Sequence, residues 1–324
     1  MQSIGLWNDK QNENNRSNIE LHINLWNISG KSKEVQPFVD FGIGIKDFRV
    51  QKDFVLLLPF TFEDNELLDL YENVKDVNVA RLIFNEMSCE IESIDEYSKI
   101  KIDGREEQLL LPIKKNNALT DIVKVEIIEK SYKALRFDFS NIINDTHLNE
   151  LNSVYIRFRI KCNGIKQALF CPVDKQNWFL ESGFVKTQIL DIKLNYERNL
   201  PVDFCKQQRL KGSVFSRFDK IHLLVMCNSN VNVESIEDLP CDCRKLEESG
   251  WENYLGKQYN VSNILAYHWK KKDEKEIKNF SKLIRLTSSA TNKMIIGSYL
   301  LMAILLGIMG NVIYDLLKYI FGVN

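Results

Sequence analysis

A long apolar segment without charge constrains the fold of this sequence more than any other feature. Residues 294–314 read MIIGSYLLMAILLGIMGNVIY, and none of these side chains is charged. A helix that rises 1.5 Å per residue needs about 20 apolar residues to cross a hydrocarbon core of about 30 Å. Ser298 and Asn311 are too few to give the segment the polar face of a soluble helix. We therefore predict a transmembrane helix over residues 294–314, with an extension to 321 left open.

The charges that flank this segment predict its orientation. Residues 270–293 carry eight Lys and Arg side chains against three acidic ones, whereas the other flank has Lys318 and Asp315. The positive-inside tendency then places the large N-terminal part in the cytoplasm, as a single-pass, tail-anchored protein of the cell (inner) membrane. The first residues lack a basic region followed by an apolar stretch, so we expect no secretory signal. Seven cysteines without regular spacing agree with reduced thiols.

A two-residue period dominates the first two hundred residues. Apolar and polar residues alternate through 19–25, and again through 39–45 past Gly42 and Gly44, as in half-buried strands. The run FVLLLPF at 54–60 predicts a strand buried on both faces. Other segments rich in β-branched and aromatic residues predict further strands, at 107–113, 122–129, 134–139, 154–162, 167–172, 188–197 and 220–227.

Helical patterns are few in the same region. Residues 63–76 place apolar side chains on one stripe, and residues 243–250 are a second helical candidate. Strands joined mostly by short turns favour an antiparallel β-sandwich or barrel-like domain over a doubly wound sheet. The predicted fold class is mainly β, with a minor α+β part.

The domain organisation follows from these patterns. We expect a disordered polar lead over residues 1–18 and a β-rich cytoplasmic domain over 19–269, with a sub-boundary near 201 left open. Residues 264–269 would be its last strand. Residues 270–293 would connect it to the membrane.

Apolar residues in this connector recur at helical spacing, with basic residues around them. We predict an amphipathic helix that lies on an anionic leaflet through its Lys and Arg side chains, or else a solvated stalk helix. The membrane-facing basic residues would be Lys275, Lys278, Lys282 and Arg285.

Small and polar residues follow one another at intervals of four within the apolar segment. Such spacing puts Tyr299, Ala303, Gly307, Asn311 and Asp315 along one face of a helix. Small residues permit close helix approach, and an Asn can donate a hydrogen bond between helices. This face therefore predicts a homo-oligomer, with a pore in a larger assembly or a plain anchor as the alternatives.

Signatures of catalysis are missing from the sequence. It has no phosphate-binding loop, no GxGxxG, no GxSxG and no HExxH. Asp145, His147 and Glu150 form one local polar cluster that could serve a membrane-tethered hydrolase. We expect that the protein is not an enzyme and needs no cofactor.

Ligand and metal sites have weak candidates. Arg157 and Arg159 share a strand face and could hold a phosphate-bearing ligand, and Trp178 could stack on one. Cys227, Cys241 and Cys243 could bind zinc together with Cys205, but their spacing matches no standard knuckle, so free thiols are the preferred interpretation.

The leading functional hypothesis combines these expectations. The β domain would bind a ligand or protein partner and act by clustering at, or perturbing, the lipid bilayer, a layout that would suit a bacterial stress or phage-defence effector. A passive membrane-localised scaffold or adaptor and a tethered hydrolase are the alternatives. A net charge of −1 gives no reason to expect nucleic acid as a partner.

Overall fold

The computed structural model describes residues 2–8, 19–29, 36–50, 53–105, 107–113, 119–173, 185–289 and 293–322, without the side chains of 274, 275 and 293–295. Strands make up most of this part of the chain. In chain order they are β1 (Gly5–Asn8), β2 (Ile19–Asn27), β3 (Phe38–Ile45), β4 (Asp53–Leu58), β5 (Leu67–Asp69), β6 (Cys89–Ile94), β7 (Tyr97–Ile102), β8 (Gln108–Leu111), β9 (Val123–Glu129), β10 (Tyr132–Asp138), β11 (Ser153–Ile160), β12 (Phe170–Pro172), β13 (Val185–Leu194), β14 (Val214–Phe215), β15 (Phe218–Asn228), β16 (Val231–Ser235), β17 (Asp242–Lys245), β18 (Ile264–Ile277) and β19 (Phe280–Ser289).

The α-helices are short except for the last one. They are α1 (Tyr71–Val74), α2 (Val77–Phe84), α3 (Ser140–Ile143), α4 (Asn163–Leu169), α5 (Val202–Leu210), α6 (Glu248–Leu255) and α7 (Lys293–Phe321).

The strands form three sheets. The largest has the order β17-β18-β15-β2-β3-β11-β8-β7-β6, with β5 also paired to β11. The other two have the orders β14-β1-β4-β10-β9 and β12-β13-β19-β16. Nearly all described pairs are antiparallel, and the exceptions are β2 with β15 and β8 with β11. The predicted mainly β, antiparallel class is confirmed, in a sandwich-like arrangement without a closed barrel among the described residues.

One apolar core lies between the large sheet and the two smaller ones. It takes Leu21, Ile23 and Leu25 from β2 and the aromatic side chains of the small sheets. Phe137 of β10 reaches Phe158 of β11 across the layers, with 5.8 Å between ring centroids. Each such side chain contributes about 1.5–3 kcal/mol to folding when fully buried. The two-residue period of the sequence thus predicted the inner face of the large sheet.

The predicted disordered lead is wrong for its first residues. β1 pairs with β4 and β14, and Trp7 is buried against Phe204 and Phe215. Leu6 and Trp7 bury opposite faces of this short strand, which explains why so polar a lead still joins a sheet. Residues 9–18 lie outside the described part of the chain.

The helix predicted over 63–76 is also largely wrong. Leu67–Asp69 forms β5 on the edge of β11, and the Leu70 amide donates to the Arg157 carbonyl. Only α1 remains of the predicted helix within these described residues. The edge of β11 offers unpaired backbone groups, and this segment pairs with it as a strand in spite of its helical spacing.

The helical connector over 270–293 is wrong as well. β18 continues to Ile277, and β19 follows it and pairs with β13 over ten residues. Phe280, Ile284 and Leu286 point into the core at the two-residue period of a strand. The basic side chains therefore belong to sheets rather than to a membrane-surface helix. Lys278 is exposed and the side chain of Lys275 lies outside the described set.

Two of those basic side chains have acidic partners. Buried Lys282 forms ion pairs with Asp238 and, at 3.6 Å, with Glu237. Arg285 lies 3.2 Å from Glu234 on the neighbouring strand β16. The sandwich thus extends to Ser289 rather than to residue 269. Residues before and after 201 share its largest sheet, since β15 lies between β2 and β18.

Three residues separate the end of β19 from the beginning of helix α7. Residues Ile296–Phe321 are apolar enough and long enough to span a membrane, and none of their apolar window is buried in the protein. The predicted transmembrane helix is confirmed as an element, with the extension to 321 included.

Candidate functional site

Polar side chains line the outer face of the large sheet, opposite its apolar core. Along β2 the outward residues are Glu20, His22 and Asn24. The strand register sets His22 beside His222 of β15 and beside Gly42 of β3. Helices α2 and α6 cover part of this face. Strand alternation thus gathers on one surface residues that are far apart in the sequence.

Gly42 makes room for the side chains of β11. A Cβ atom at this position would collide with the Tyr155 hydroxyl and lie 3.0 Å from Arg157 Nη1. At Gly44 the nearest atoms would be 3.7 Å away, which is ordinary contact. Gly42 is therefore required for Tyr155 and Arg157 to lie across β3 toward β2.

A buried ion pair occupies the covered half of this face. Arg159 donates to both carboxylate oxygens of Asp40, from Nε at 2.6 Å and from Nη2 at 3.0 Å. Trp26 Nε1 and the Tyr254 hydroxyl also donate to Asp40, at 2.8 Å and 2.6 Å. Asp40 is fully buried, so these four hydrogen bonds replace its hydration. Burial opposes the charge of Arg159, but Asp40 outweighs it and raises the pKa of Arg159.

Arg157 lies next to this pair with less complete bonding. Its Nε donates to the Tyr254 hydroxyl at 2.8 Å and its Nη1 to the Tyr155 hydroxyl at 3.1 Å. Its Nη2 has no hydrogen-bond partner among the described residues, although the side chain is 97 % buried. Both predicted arginines are thus on one face as expected, but buried and bonded within the protein. Their contact with a phosphate-bearing ligand stays a prediction.

The open half of the face carries a carboxylate between two imidazoles. Glu20 Oε1 lies 3.1 Å from His22 Nε2 and 3.5 Å from His222 Nε2. Its other oxygen lies 3.3 Å from Arg105 Nη1. His222 Nδ1 lies 3.0 Å from His268 Nε2, and these two rings stack. We call Glu20, His22 and His222 the histidine–glutamate cluster.

Burial and neighbouring side chains together set the pKa values of Glu20, His22 and His268. Burial opposes the ionised form of Glu20, but contacts with His22, His222 and Arg105 hold the pKa of Glu20 well below its usual range. Burial lowers the pKa of His22 to about 4, against the raising influence of Glu20. Burial and the neighbouring His222 likewise lower the pKa of His268 to about 4. At neutral pH the site thus combines the carboxylate of Glu20 with the neutral imidazole of His22, which are forms that bind metal ions.

A cleft of about 320 Å³ opens beside the cluster. Its walls include Glu20, His22, Arg105 and Tyr155, with Phe84 of α2 as an apolar side. The mixture of a few converging polar groups and apolar surface is typical of small-ligand sites.

The cleft lies at the end of the sheet far from α7. Lys220, which lines the cleft, is eight residues from Asn228 at the other end of β15, roughly 26 Å along the strand. β16 begins three residues later, and Val231 pairs with Ser288 near the end of β19. Helix α7 follows from that end.

The other predicted site residues are dispersed. Cys227 is buried, where burial raises its pKa to about 12, whereas Cys241 and Cys243 are exposed. The described residues bring together a different metal-ligand group, which is the histidine–glutamate cluster. Trp178 lies outside the described residues.

The local cluster at 145–150 has a structural role. Asp145 accepts a hydrogen bond from the His147 backbone amide and so caps a short 3₁₀ turn. The His147 ring is exposed and lies 3.8 Å from Asp95. Capping accounts for this spacing of Asp and His without any chemistry.

The self-association face predicted on α7 is exposed from Ala303 to Asp315. Ala303, Gly307, Asn311 and Asp315 are all exposed, and no atom lies within 4 Å of a Cβ built on Gly307. Tyr299 is half-buried. A second helix could therefore reach the face between Ala303 and Asp315.

Sequence reasoning missed the histidine–glutamate cluster. The sequence contains part of the signal for this cluster, since His22 and His222 each occupy a polar position in a predicted strand. The parallel pairing of β2 with β15, two hundred residues apart, is what joins them, and no local pattern predicts such a pair.

No protein-family model and no curated protein sequence matches this chain. Among solved structures, an M1 zinc metallopeptidase from Deinococcus radiodurans is similar over 87% of this chain, at 6% identity and a TM-score of 0.25, and this chain spans 42% of its length. The mu homology domain of Fcho1 from Danio rerio, with a bound Eps15 peptide, is similar over 84% of this chain and 79% of its own, at 9% identity and a TM-score of 0.16. Scores this low carry no argument about fold or function.

Proposed function

We propose that this chain is a single-pass membrane protein whose β-sandwich is a cytoplasmic binding module and whose helix α7 clusters it in the bilayer. The observation that carries the proposal is the apolar helix Ile296–Phe321, which has no buried residue in its apolar window and is joined to the sandwich by three residues. A helix with this surface needs a bilayer or another helix to cover it.

The orientation follows from the flanking charges. Five of the eight Lys and Arg side chains, from Lys275 to Lys293, lie within about 20 residues of the N-terminal end of α7, which is the range over which such charges act. Their place in β18 and β19 rather than in a helix does not change this count. It supports a cytoplasmic sandwich at the inner membrane.

The exposed face of α7 supports clustering. Ala303 and Gly307 permit two helices to approach closely, and Asn311 can donate to a carbonyl or amide of a second helix. Such a hydrogen bond contributes about 0.6–2 kcal/mol in a bilayer. A second copy of the same helix satisfies both requirements with identical residues.

The cleft beside the histidine–glutamate cluster supports the binding function. Its volume of about 320 Å³ is at the lower end of the range for small ligands. Glu20 and Arg105 offer an acceptor and a donor in its wall. A role as a bacterial stress or phage-defence effector rests on the layout alone and stays a prediction.

The clustering part is tested by the mass of the detergent-solubilised full chain. Gly307→Leu adds bulk to the self-association face, and Gly297→Leu adds the same bulk about 80° around the helix. No atom lies within 4 Å of a Cβ at either glycine, so neither substitution disturbs the folded protomer. We expect Gly307→Leu to shift the protein to a monomer in light scattering, with Gly297→Leu unchanged.

An oligomer of the same size in both variants would remove clustering through this face. A monomeric wild type would favour the passive membrane scaffold instead.

A further inference from the structure

The histidine–glutamate cluster has the donor set of a metal site. Two imidazole nitrogens and one carboxylate oxygen come from Glu20, His22 and His222, and all three ligand atoms lie within 4.8 Å of one another. Imidazole and carboxylate together suit zinc, and three protein ligands of this type leave its fourth position open.

Two of the three distances between ligand atoms are close to those around a tetrahedral ion. Zinc binds nitrogen and carboxylate oxygen at about 2.0–2.2 Å, so two ligands of a tetrahedral ion lie roughly 3.3–3.6 Å apart. Glu20 Oε1 is 3.1 Å from His22 Nε2 and 3.5 Å from His222 Nε2. The third distance, between the two imidazole nitrogens, lies within 4.8 Å, and side-chain rotation would bring these rings onto a common ion.

His222 Nε2 provides an independent sign of a ligand. It is buried and has no hydrogen-bond partner among the residues that the structure describes, and its distance to Glu20 is too long for a normal hydrogen bond. A buried polar atom without a partner destabilises the folded protein. Coordination to a metal ion would satisfy it.

The neighbouring ring offers His222 a partner that stabilises the tautomer required for metal binding. When His222 Nδ1 donates its proton to His268 Nε2 at 3.0 Å, Nε2 of His222 carries the lone pair that faces Glu20. Ligating histidines in proteins donate their second nitrogen to a partner in this way. His268 is therefore a positioning residue.

The scaffold holds these ligands rigidly. β2 and β15 are inner strands of the large sheet, so the backbone of all three residues is paired on both sides. Glu20 and His22 also line the cleft, and Arg105 stands beside Glu20. A fourth ligand would enter from the cleft, and Arg105 favours an anionic one.

We propose that Glu20, His22 and His222 bind one zinc ion whose fourth coordination position opens into the cleft. The inference rests on the proposed binding function of this cleft and names its ligand class. The covered half of the same face, with Asp40 and Arg159, takes no part in coordination.

Titration of the purified, metal-stripped full chain in detergent tests this site. With Zn²⁺ in calorimetry we expect one ion per chain, and with Co²⁺ the visible absorption of a tetrahedral site without the near-ultraviolet bands of thiolate ligands. Glu20→Gln and His222→Asn should each lower zinc affinity by at least about 100-fold, and His268→Ala by about 10–100-fold, as for partners of metal ligands.

Matched controls separate the site from other metal-binding groups. His147→Asn removes an exposed histidine away from the cluster, and Cys241→Ser with Cys243→Ser removes the exposed thiols, so both should bind zinc as the wild type does. Thermal unfolding of the metal-free variants checks folding. Glu20 and His222 are partly exposed, so these variants are chosen ahead of changes at the fully buried His22.

Two results would overturn the zinc site: no stoichiometric binding by the wild type, or unchanged binding by folded Glu20→Gln and His222→Asn. Gly307→Leu distinguishes this failure from that of the proposed function. It should bind zinc normally whatever its oligomeric state, because the helix and the cleft lie at opposite ends of the sheet.

Discussion

At the scale of single residues, Gly42 controls the shape of the polar face. Its missing side chain admits Tyr155 and Arg157 across β3, whereas Gly44, two residues on, leaves ordinary space. We expect Gly42→Ala to lower the free energy of unfolding by about 1–3 kcal/mol, as overpacking does, in urea denaturation followed by circular dichroism.

Gly44→Ala is the matched control for that change. Its new methyl group would lie 3.7 Å from its nearest neighbours, and alanine restricts the unfolded chain more than glycine does. We expect its free energy of unfolding to remain within about 1 kcal/mol of the wild type. Equal losses at both positions would show that the space for Tyr155 and Arg157 is not the reason for glycine at position 42.

Asp40 illustrates why burial of a charge could not be inferred from sequence. Arg157 and Arg159 alternate with apolar residues on β11, which is the usual pattern of a solvated strand face. The outer face of β11 is instead covered by α6, whose Tyr254 bonds to both Asp40 and Arg157. A helix from a distant part of the sequence that packs over a strand does not change the spacing of polar and apolar residues in that strand.

At the scale of elements, β19 offers the sharpest test of the fold. The strand points Ile284 into the core and leaves Leu283 half-buried, whereas an amphipathic helix would place both on one apolar face. We expect Ile284→Ala to cost about 2–5 kcal/mol in the free energy of unfolding, because it leaves a cavity.

Leu283→Ala removes a similar volume from a half-buried site and serves as the control in the same urea titration. We expect a loss clearly smaller than that at Ile284. Similar, small losses at both positions would favour a helical connector outside the core.

Sequence periodicity predicted many strands of the sandwich well, but not β5 and β19. Strands β2, β3, β4, β10, β11 and β15 lie close to their predicted bounds, because burial on at least one face imposes a two-residue period. β5 and β19 carry apolar residues that fit both periods over a few turns. Whether these two segments form a strand or a helix depends on which strand edge is available beside them, and local sequence does not contain that information.

The candidate site was predictable only in part. His22 and Glu20 already appeared on the polar side of a predicted strand, but their partner His222 joins through a parallel pair of very long sequence separation. Hydrophobic composition predicted α7, since a run of about 20 apolar residues without charge is long enough for a membrane-spanning helix.

At the scale of the whole molecule, the cleft and the anchor lie at opposite ends of a continuous set of strands. β15 runs from the cleft to the turn before β16, and β16 pairs with β19, from which α7 follows. β2 and β15 are thus linked to the anchor by the turn after β15 and by the pairing of β16 with β19. This layout suits a module that binds in the cytoplasm and responds in the membrane.

The central claim is that α7 crosses the bilayer with the sandwich on the cytoplasmic side. Labelling by a membrane-impermeant maleimide tests it, because Cys241 and Cys243 are exposed on the sandwich, and a Gly322→Cys variant that also carries Cys241→Ser and Cys243→Ser reports the far end of α7. We expect spheroplasts to label the cysteine at 322 and not Cys241 or Cys243, and inside-out vesicles to give the reverse. Labelling of Cys241 and Cys243 in intact spheroplasts, or of both ends from the same side, would contradict the account.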